Sequence, residues 1–135
     1  MEDDFGKLIA RLMVGVLLLF HGVHKVLNGI EPIKHMIVAQ GLPDWVAYGV
    51  YLGEVLGPIL VIVGLLTRVG GLLIVLNMIA AIALLVLNKE AGLLGIGPEG
   101  GYVLELEAFF LFSGLAVVFL GAGRFSVGGA EGRWN

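Results

Sequence analysis

From Trp45 to Leu87 the chain runs almost without interruption through apolar residues, broken only by Glu54, the pair Thr67-Arg68 and Asn77. As a single helix at 1.5 Å per residue this stretch would reach about 65 Å, roughly twice the hydrocarbon thickness of a bilayer. It must fold back on itself, and Thr67-Arg68, with Gly64, Gly70 and Gly71 nearby, is the expected turn. The core of a soluble helical domain would require amphipathic helices, whereas these segments are apolar all round. Four segments of this kind occur, at approximately 8–27, 45–66, 69–87 and 102–120. Each has about the 20 residues needed to cross a membrane. The expected fold is all-α: an integral membrane four-helix bundle made by one transmembrane domain, residues 1–135.

Composition agrees with a lipid environment. The chain is 59% hydrophobic and 14% charged, against roughly 45–50% and about 25% for soluble proteins. With a net charge of −3 and no basic run, it has no nucleic-acid surface. The lack of cysteine removes disulfides, thiol redox motifs and thiolate metal sites, so electron chemistry would need a borrowed cofactor. The start, Met1-Glu2-Asp3-Asp4, is acidic where a secretory signal is basic, and no small-residue cleavage site follows. The first apolar run is therefore expected to stay as a membrane helix.

Between the first two segments lies the longest connection, Asn28 to Asp44, with Pro32, Gly41 and Pro43, in which Ile33, Met36 and Ile37 could form a short interfacial helix. The stretch from Asn88 to Gly101 is glycine-rich and should be irregular. With four crossings, Lys7, Arg11, Arg68, Arg124 and Arg133 share one side, and Lys25, Lys34 and Lys89 the other. The positive-inside rule then puts both termini in the cytoplasm, with Arg11 and Arg68 as anchors on that side. The expected location is a bacterial or archaeal cytoplasmic membrane.

Ionisable groups inside such helices are expensive, and they usually face a bundle interior or a water-filled cavity. At about 100° per residue, Arg11, Gly15, Leu18, Gly22 and Lys25 share a narrow face of the first helix, with His21 beside it and His24 pointing away. Glu54 shares a face with Gly57, Pro58, Val61 and Gly64; Asn77 aligns with Gly70 and Ala81; Glu107 aligns with Gly114 and Gly121. Small residues mark close helix approach, so all of these polar groups are expected to look inward. Counted at 1.5 Å per residue, His21 and Glu107 lie about 8–9 Å below the outer surface, and Glu54 and Asn77 about 14–15 Å. Lys25, about 3 Å in, can snorkel outward or bend back. The Glu54 carboxyl has to be protonated or paired with Lys25 or His21. His21, Lys25, Glu54, Asn77 and Glu107 thus form the candidate ligand-binding or proton-relay set, while Tyr48, Tyr51 and Tyr102 stand near its mouth. No Glu-x-x-His pair or histidine cluster points to a metal, and no dinucleotide or phosphate-loop motif is present.

The opening Arg11-Leu-Met-Val-Gly-Val-Leu-Leu-Leu-Phe-His-Gly-Val-His-Lys25, with Gly41-Leu-Pro43, Gly53-Glu54, Gly57 and Gly64-Leu-Leu-Thr-Arg68, resembles the DoxX family of small membrane proteins. The tail Gly121-Ala-Gly-Arg-Phe-Ser126 is similar to that family's closing motif, except that Gly128 stands where an acidic residue is usual. The resemblance implies a four-helix membrane bundle and an association with quinone-linked redox systems.

Three functions fit these features. The first is a redox-associated subunit, acting with a soluble or membrane redox partner, that binds a quinone or similar lipophilic ligand through His21, Glu54 and Glu107 and is not catalytic alone. The second is a non-enzymatic scaffold or assembly factor whose polar cluster sets helix register. The third is a small proton or solute carrier working as a homo-oligomer, since four helices enclose little volume.

Overall fold

The computed structural model describes residues 1–135 and contains helices but no strand. Helix α1 runs from Glu2 to Asn28, with Glu2, Asp3 and Asp4 in its first turn and Lys25 in its last. Both charge sets complement the helix dipole. Helix α2, Glu31–Ala39, lies in the long connection and starts with Pro32 in its first turn. The next span is composite: a 3-10 segment Asp44–Gly49, a single π-turn Leu52–Leu56, and helix α3, Gly57–Val63. Helix α4 covers Thr67–Leu87 and α5 covers Glu105–Leu120.

Three segments are long and apolar enough to cross a membrane: Glu2–Asn28, Asp44–Val63 and Thr67–Leu87. Helix α5 has 16 residues, about 24 Å at 1.5 Å per residue, and falls short of that length by itself. Phe20, Leu27, Phe112 and Phe119 are 66–77% exposed along these helices. Large apolar side chains turned outward on every long helix suit a lipid environment rather than water.

The irregular second span has a local cause. Pro58 has no N–H to return to the Glu54 carbonyl four residues earlier. The Gly57 N–H instead reaches the Leu52 carbonyl, five residues back, which is the π-turn. Helix α3 ends at Gly64, whose φ of +77° is the left-handed conformation that glycine adopts freely. The chain reverses through Gly64, Leu65 and Leu66, so Thr67 begins the returning helix.

Helix α4 is central. Its adjacent glycines open two faces: a Cβ on Gly70 would lie 2.8 Å from the Gly57 carbonyl oxygen, and one on Gly71 2.9 Å from that of Gly114. Absence of a side chain at both positions lets α3 and α5 pack backbone to backbone against α4. Val14, Leu18, Val61, Ile74, Met78, Phe110 and Val117 fill the space between α1, α3, α4 and α5.

The end of the bundle holding both termini is closed by polar groups. Arg11, expected as a surface anchor, is 1% exposed. Its Nε donates to the Val61 carbonyl at 2.9 Å and its Nη2 to Ile62 at 3.0 Å. Its Nη1 donates to Ala122 at 2.9 Å and Phe125 at 2.8 Å. These are carbonyls left over where α3 ends and where the chain leaves α5, and their partial negative charge suits a cation. Arg68 Nη1 likewise donates to the Val118 and Phe119 carbonyls at the end of α5. The start of α4 is capped from the tail. Asn135 Oδ1 accepts from the Thr67 N–H and hydroxyl, and the Trp134 carbonyl accepts from the Arg68 N–H.

Candidate functional site

At the opposite end of the bundle, Glu54 sits in the π-turn and is 5% exposed. Its Oε1 takes the Lys25 Nζ from α1 at 2.5 Å, and its Oε2 accepts from the Asn77 Nδ2 of α4 at 3.1 Å. One carboxylate thus joins three separate elements, with both oxygens occupied. The sequence left Lys25 and His21 as alternative partners for this carboxyl; the structure joins it to Lys25. A buried carboxylate without a cation would be strongly destabilising, and the paired lysine leaves the site with no net charge.

Glycines allow the elements to approach this closely. A Cβ at Gly22 would overlap the Glu54 carbonyl oxygen, the same oxygen that Pro58 leaves without its helical donor. A Cβ at Gly53 would overlap the Asn77 side chain. Tyr51 adds a tie by donating its hydroxyl to the Lys25 carbonyl at 3.3 Å. Helical facing alone does not mark Gly53 or the backbone of Glu54 as structural parts of the site. Pro58, four residues after an acidic residue in an apolar span, was the available signal.

His21 and Glu107 are not joined to this chain of hydrogen bonds. The His21 ring meets Phe110 of α5 edge to face, with centroids 5.7 Å apart and an interplanar angle of 81°. His21 is exposed, Glu107 half-buried, and neither side chain makes a hydrogen bond or ion pair. Glu107 lies three residues before Phe110 on the stripe that also carries Gly114 and Val117. His24 turns outward, within 3.2 Å of the Asn28 amide.

Other polar features lie elsewhere. Glu31, Lys34, His35 and Asp44 line an open groove of about 500 Å³ beside α2. There Lys34 donates to the Tyr48 hydroxyl at 2.9 Å and lies over that ring. The hydrogen bond to Tyr48, with the nearby Glu31 charge, holds the Lys34 ammonium above the usual lysine range. A second open groove of about 420 Å³ follows the outward face of α5 past Phe109, Phe112 and Ser113. Neither groove reaches Glu54. No group of three or more His, Asp or Glu side chains is gathered as a metal site would need.

These features define an integral membrane protein of a few apolar helices, tied together at one end by buried arginine and at the other by a Lys25–Glu54–Asn77 chain. The profile of the DoxX family matches residues 6–87, from α1 through α4, and the chain belongs to that family. The match contains His21, Lys25, Glu54 and Asn77, and leaves Glu107 and the tail beyond it. A Bacillus subtilis (strain 168) protein named "Putative oxidoreductase CatD" is 33% identical over 108 residues, covering 80% of this chain and 78% of that protein. No solved structure matches the chain significantly.

Proposed function

We propose that this protein is a membrane subunit of a redox system that binds a quinone or similar lipophilic ligand at the polar cluster of Lys25, Glu54, Asn77, His21 and Glu107. In this reading α5 completes a four-helix bundle, with both termini on the cytoplasmic side of a bacterial or archaeal membrane. Electrons pass to or from a partner protein, because the chain has no cysteine and no cofactor motif. The oxidoreductase designation of the Bacillus relative supports a redox setting for the family.

The single observation that carries the reading is the Lys25–Glu54–Asn77 chain, built on a π-turn inside an apolar bundle. π-turns within helices recur at functional sites, and an intramembrane ionisable residue is by default a functional candidate. His21 and Glu107 add hydrogen-bonding capacity that no other side chain uses. A histidine and a carboxylate in one site are suited to passing protons to and from a ligand.

A register-setting scaffold is the second reading, favoured by the mutual satisfaction of Lys25, Glu54 and Asn77. The two separate on Glu54→Gln. Native mass spectrometry of gently extracted protein, followed by solvent extraction, should find a stoichiometric redox-active lipid in the wild type and none in a folded Glu54→Gln protein. A wild type without such a molecule, but with a co-purifying protein subunit, would support the scaffold instead.

A further inference from the structure

We propose that the segment between α4 and α5, residues 88–104, is seated in the bilayer leaflet at the Glu54 end of the bundle. Its apolar side chains meet lipid chains there and complete the crossing that α5 is too short to make by itself. The inference rests on α5 crossing the membrane, as proposed above, and adds the part of the chain that finishes that crossing.

Depth follows from the glycine contacts. Gly71 of α4 and Gly114 of α5 lie at one level, since a Cβ on Gly71 would stand 2.9 Å from the Gly114 carbonyl oxygen. From that level α4 runs on to Leu87, about 24 Å at 1.5 Å per residue, whereas the antiparallel α5 extends only to Glu105, about 14 Å. Helix α4, with 21 residues, covers about 31 Å, the full hydrocarbon thickness of about 30 Å. Its last residue therefore marks the hydrocarbon edge, and α5 starts about 10 Å below it. The chain between them has to descend through that depth.

The residues of the segment suit this position. Leu93, Leu94, Ile96 and Val103 are 41–90% exposed, while Leu104 beside them is buried and fixes the segment to the bundle. Between Glu90 and Glu105 the one charged residue is Glu99, carried on a turn in which the Gly100 N–H donates to the Gly97 carbonyl at 3.0 Å. Backbone groups that leave water need partners from the chain itself. Here the Gly95 N–H donates to Gly92 at 3.0 Å, the Gly97 N–H to Gly101 at 2.7 Å and the Val103 N–H to Gly95 at 3.0 Å. The Tyr102 hydroxyl donates to the Leu93 carbonyl at 2.5 Å. The Glu105 carboxylate turns back towards Gly101, where a Cβ would stand 3.3 Å from its Oε2. That is the direction of the membrane surface, the one a charged side chain takes near the hydrocarbon edge. The apolar face of the segment continues into Leu106, Phe109 and Phe112 of α5, which are 48–66% exposed. Lipid that covers this face of α5 thus covers the segment as well.

The chain has no cysteine, so single cysteines can be introduced and spin-labelled without background. The test places Leu94→Cys, Ile96→Cys, Glu99→Cys and Phe112→Cys proteins, one at a time, in vesicles of phosphatidylcholine and phosphatidylglycerol. Collisions of each label are measured with oxygen, which concentrates in lipid, and with a water-soluble nickel chelate. Labels at positions 94 and 96 should show the high oxygen-to-nickel ratio of the label at 112, and the label at 99 the reverse. Nickel collisions at 94 and 96 equal to those at 99 would overturn the proposal while leaving α5 in the membrane. Low collisions with both reagents at 94 and 96 would mean that a second copy of the chain, not lipid, covers the segment, and would overturn it too. Nickel access at 112 would overturn this inference and the crossing by α5 together.

Discussion

Replacing Arg11 by Met should be the most damaging single change in the chain. The guanidinium is 1% exposed and donates to the carbonyls of Val61, Ile62, Ala122 and Phe125. None of the four has a backbone donor at the helix ends, so Arg11 is their partner. A buried polar group left without a hydrogen bond costs about 1–3 kcal/mol. Four such groups set a ceiling near 4–12 kcal/mol, and relaxation with water entry at the bundle end should reduce this to about 3–5 kcal/mol, the range of the largest single-site effects. Arg11→Lys keeps the charge but lacks the planar fork that reaches two helix ends, and should recover less than half of the loss. Unfolding in mixed micelles with increasing SDS, followed through the fluorescence of Trp45 and Trp134, measures the difference. A loss below about 1 kcal/mol for Arg11→Met, or full recovery by lysine, would refute the claim that the fork itself ties α1 to α3 and the tail.

Other consequences follow from the same contacts. Lys25→Met should destabilise the protein by more than the double change Lys25→Met with Glu54→Gln, because the single variant strands a buried carboxylate; a double-mutant cycle in the same micelle assay measures the coupling. Gly22→Ala should push α1 away from the Glu54 carbonyl and destabilise by about 1–3 kcal/mol, as overpacking does; a neutral effect would contradict the close approach. Asn135→Ala removes the cap on Thr67 and should lose about 1 kcal/mol of stability, whereas Asn135→Asp, which keeps the accepting oxygen, should lose less of that cap. The Tyr48 hydroxyl raises the Lys34 pKa in the folded protein. Its stabilisation is therefore fully present below the ordinary value of 10.5 and disappears as pH rises through the folded value. Tyr48→Phe should lower the Lys34 titration seen by NMR of its Cε.

The all-helical character and the membrane-length apolar spans were legible because burial in lipid leaves its mark directly in composition. Trp45–Leu87 cannot be a soluble helix, and its fold-back was implied by length alone. The reversal, however, was expected at Thr67-Arg68 and occurs at Gly64–Leu66. Both Thr67 and Arg68 have their N–H groups capped by the tail, a tertiary contact between residues far apart in sequence. Helical facing identified Arg11 as sharing a stripe with Lys25, but charge alone suggested a surface anchor. What buries it is the coincidence of two helix ends beside it, which no local pattern records. At the site, facing grouped His21, Lys25, Glu54, Asn77 and Glu107, although depth left Lys25 near the surface; the structure links only Lys25, Glu54 and Asn77, through the two oxygens of one carboxylate. The π-turn that aims Glu54 depends on where the Pro58 deficit is absorbed, and several helix distortions would satisfy the same sequence. The ring contact of His21 with Phe110 depends on how α5 docks, and lies equally beyond local reading.

Photoaffinity mapping with an azido-substituted quinone tests the central claim most directly. The protein is irradiated in its own membrane, digested, and the modified residues are located by mass spectrometry. Labelling is expected on α1 and α5 around His21 and Phe110, and on the turn carrying Glu54, with loss of that labelling in Glu54→Gln. Labelling confined to the outward face of α5 or to the groove beside α2, unchanged by Glu54→Gln, would contradict it.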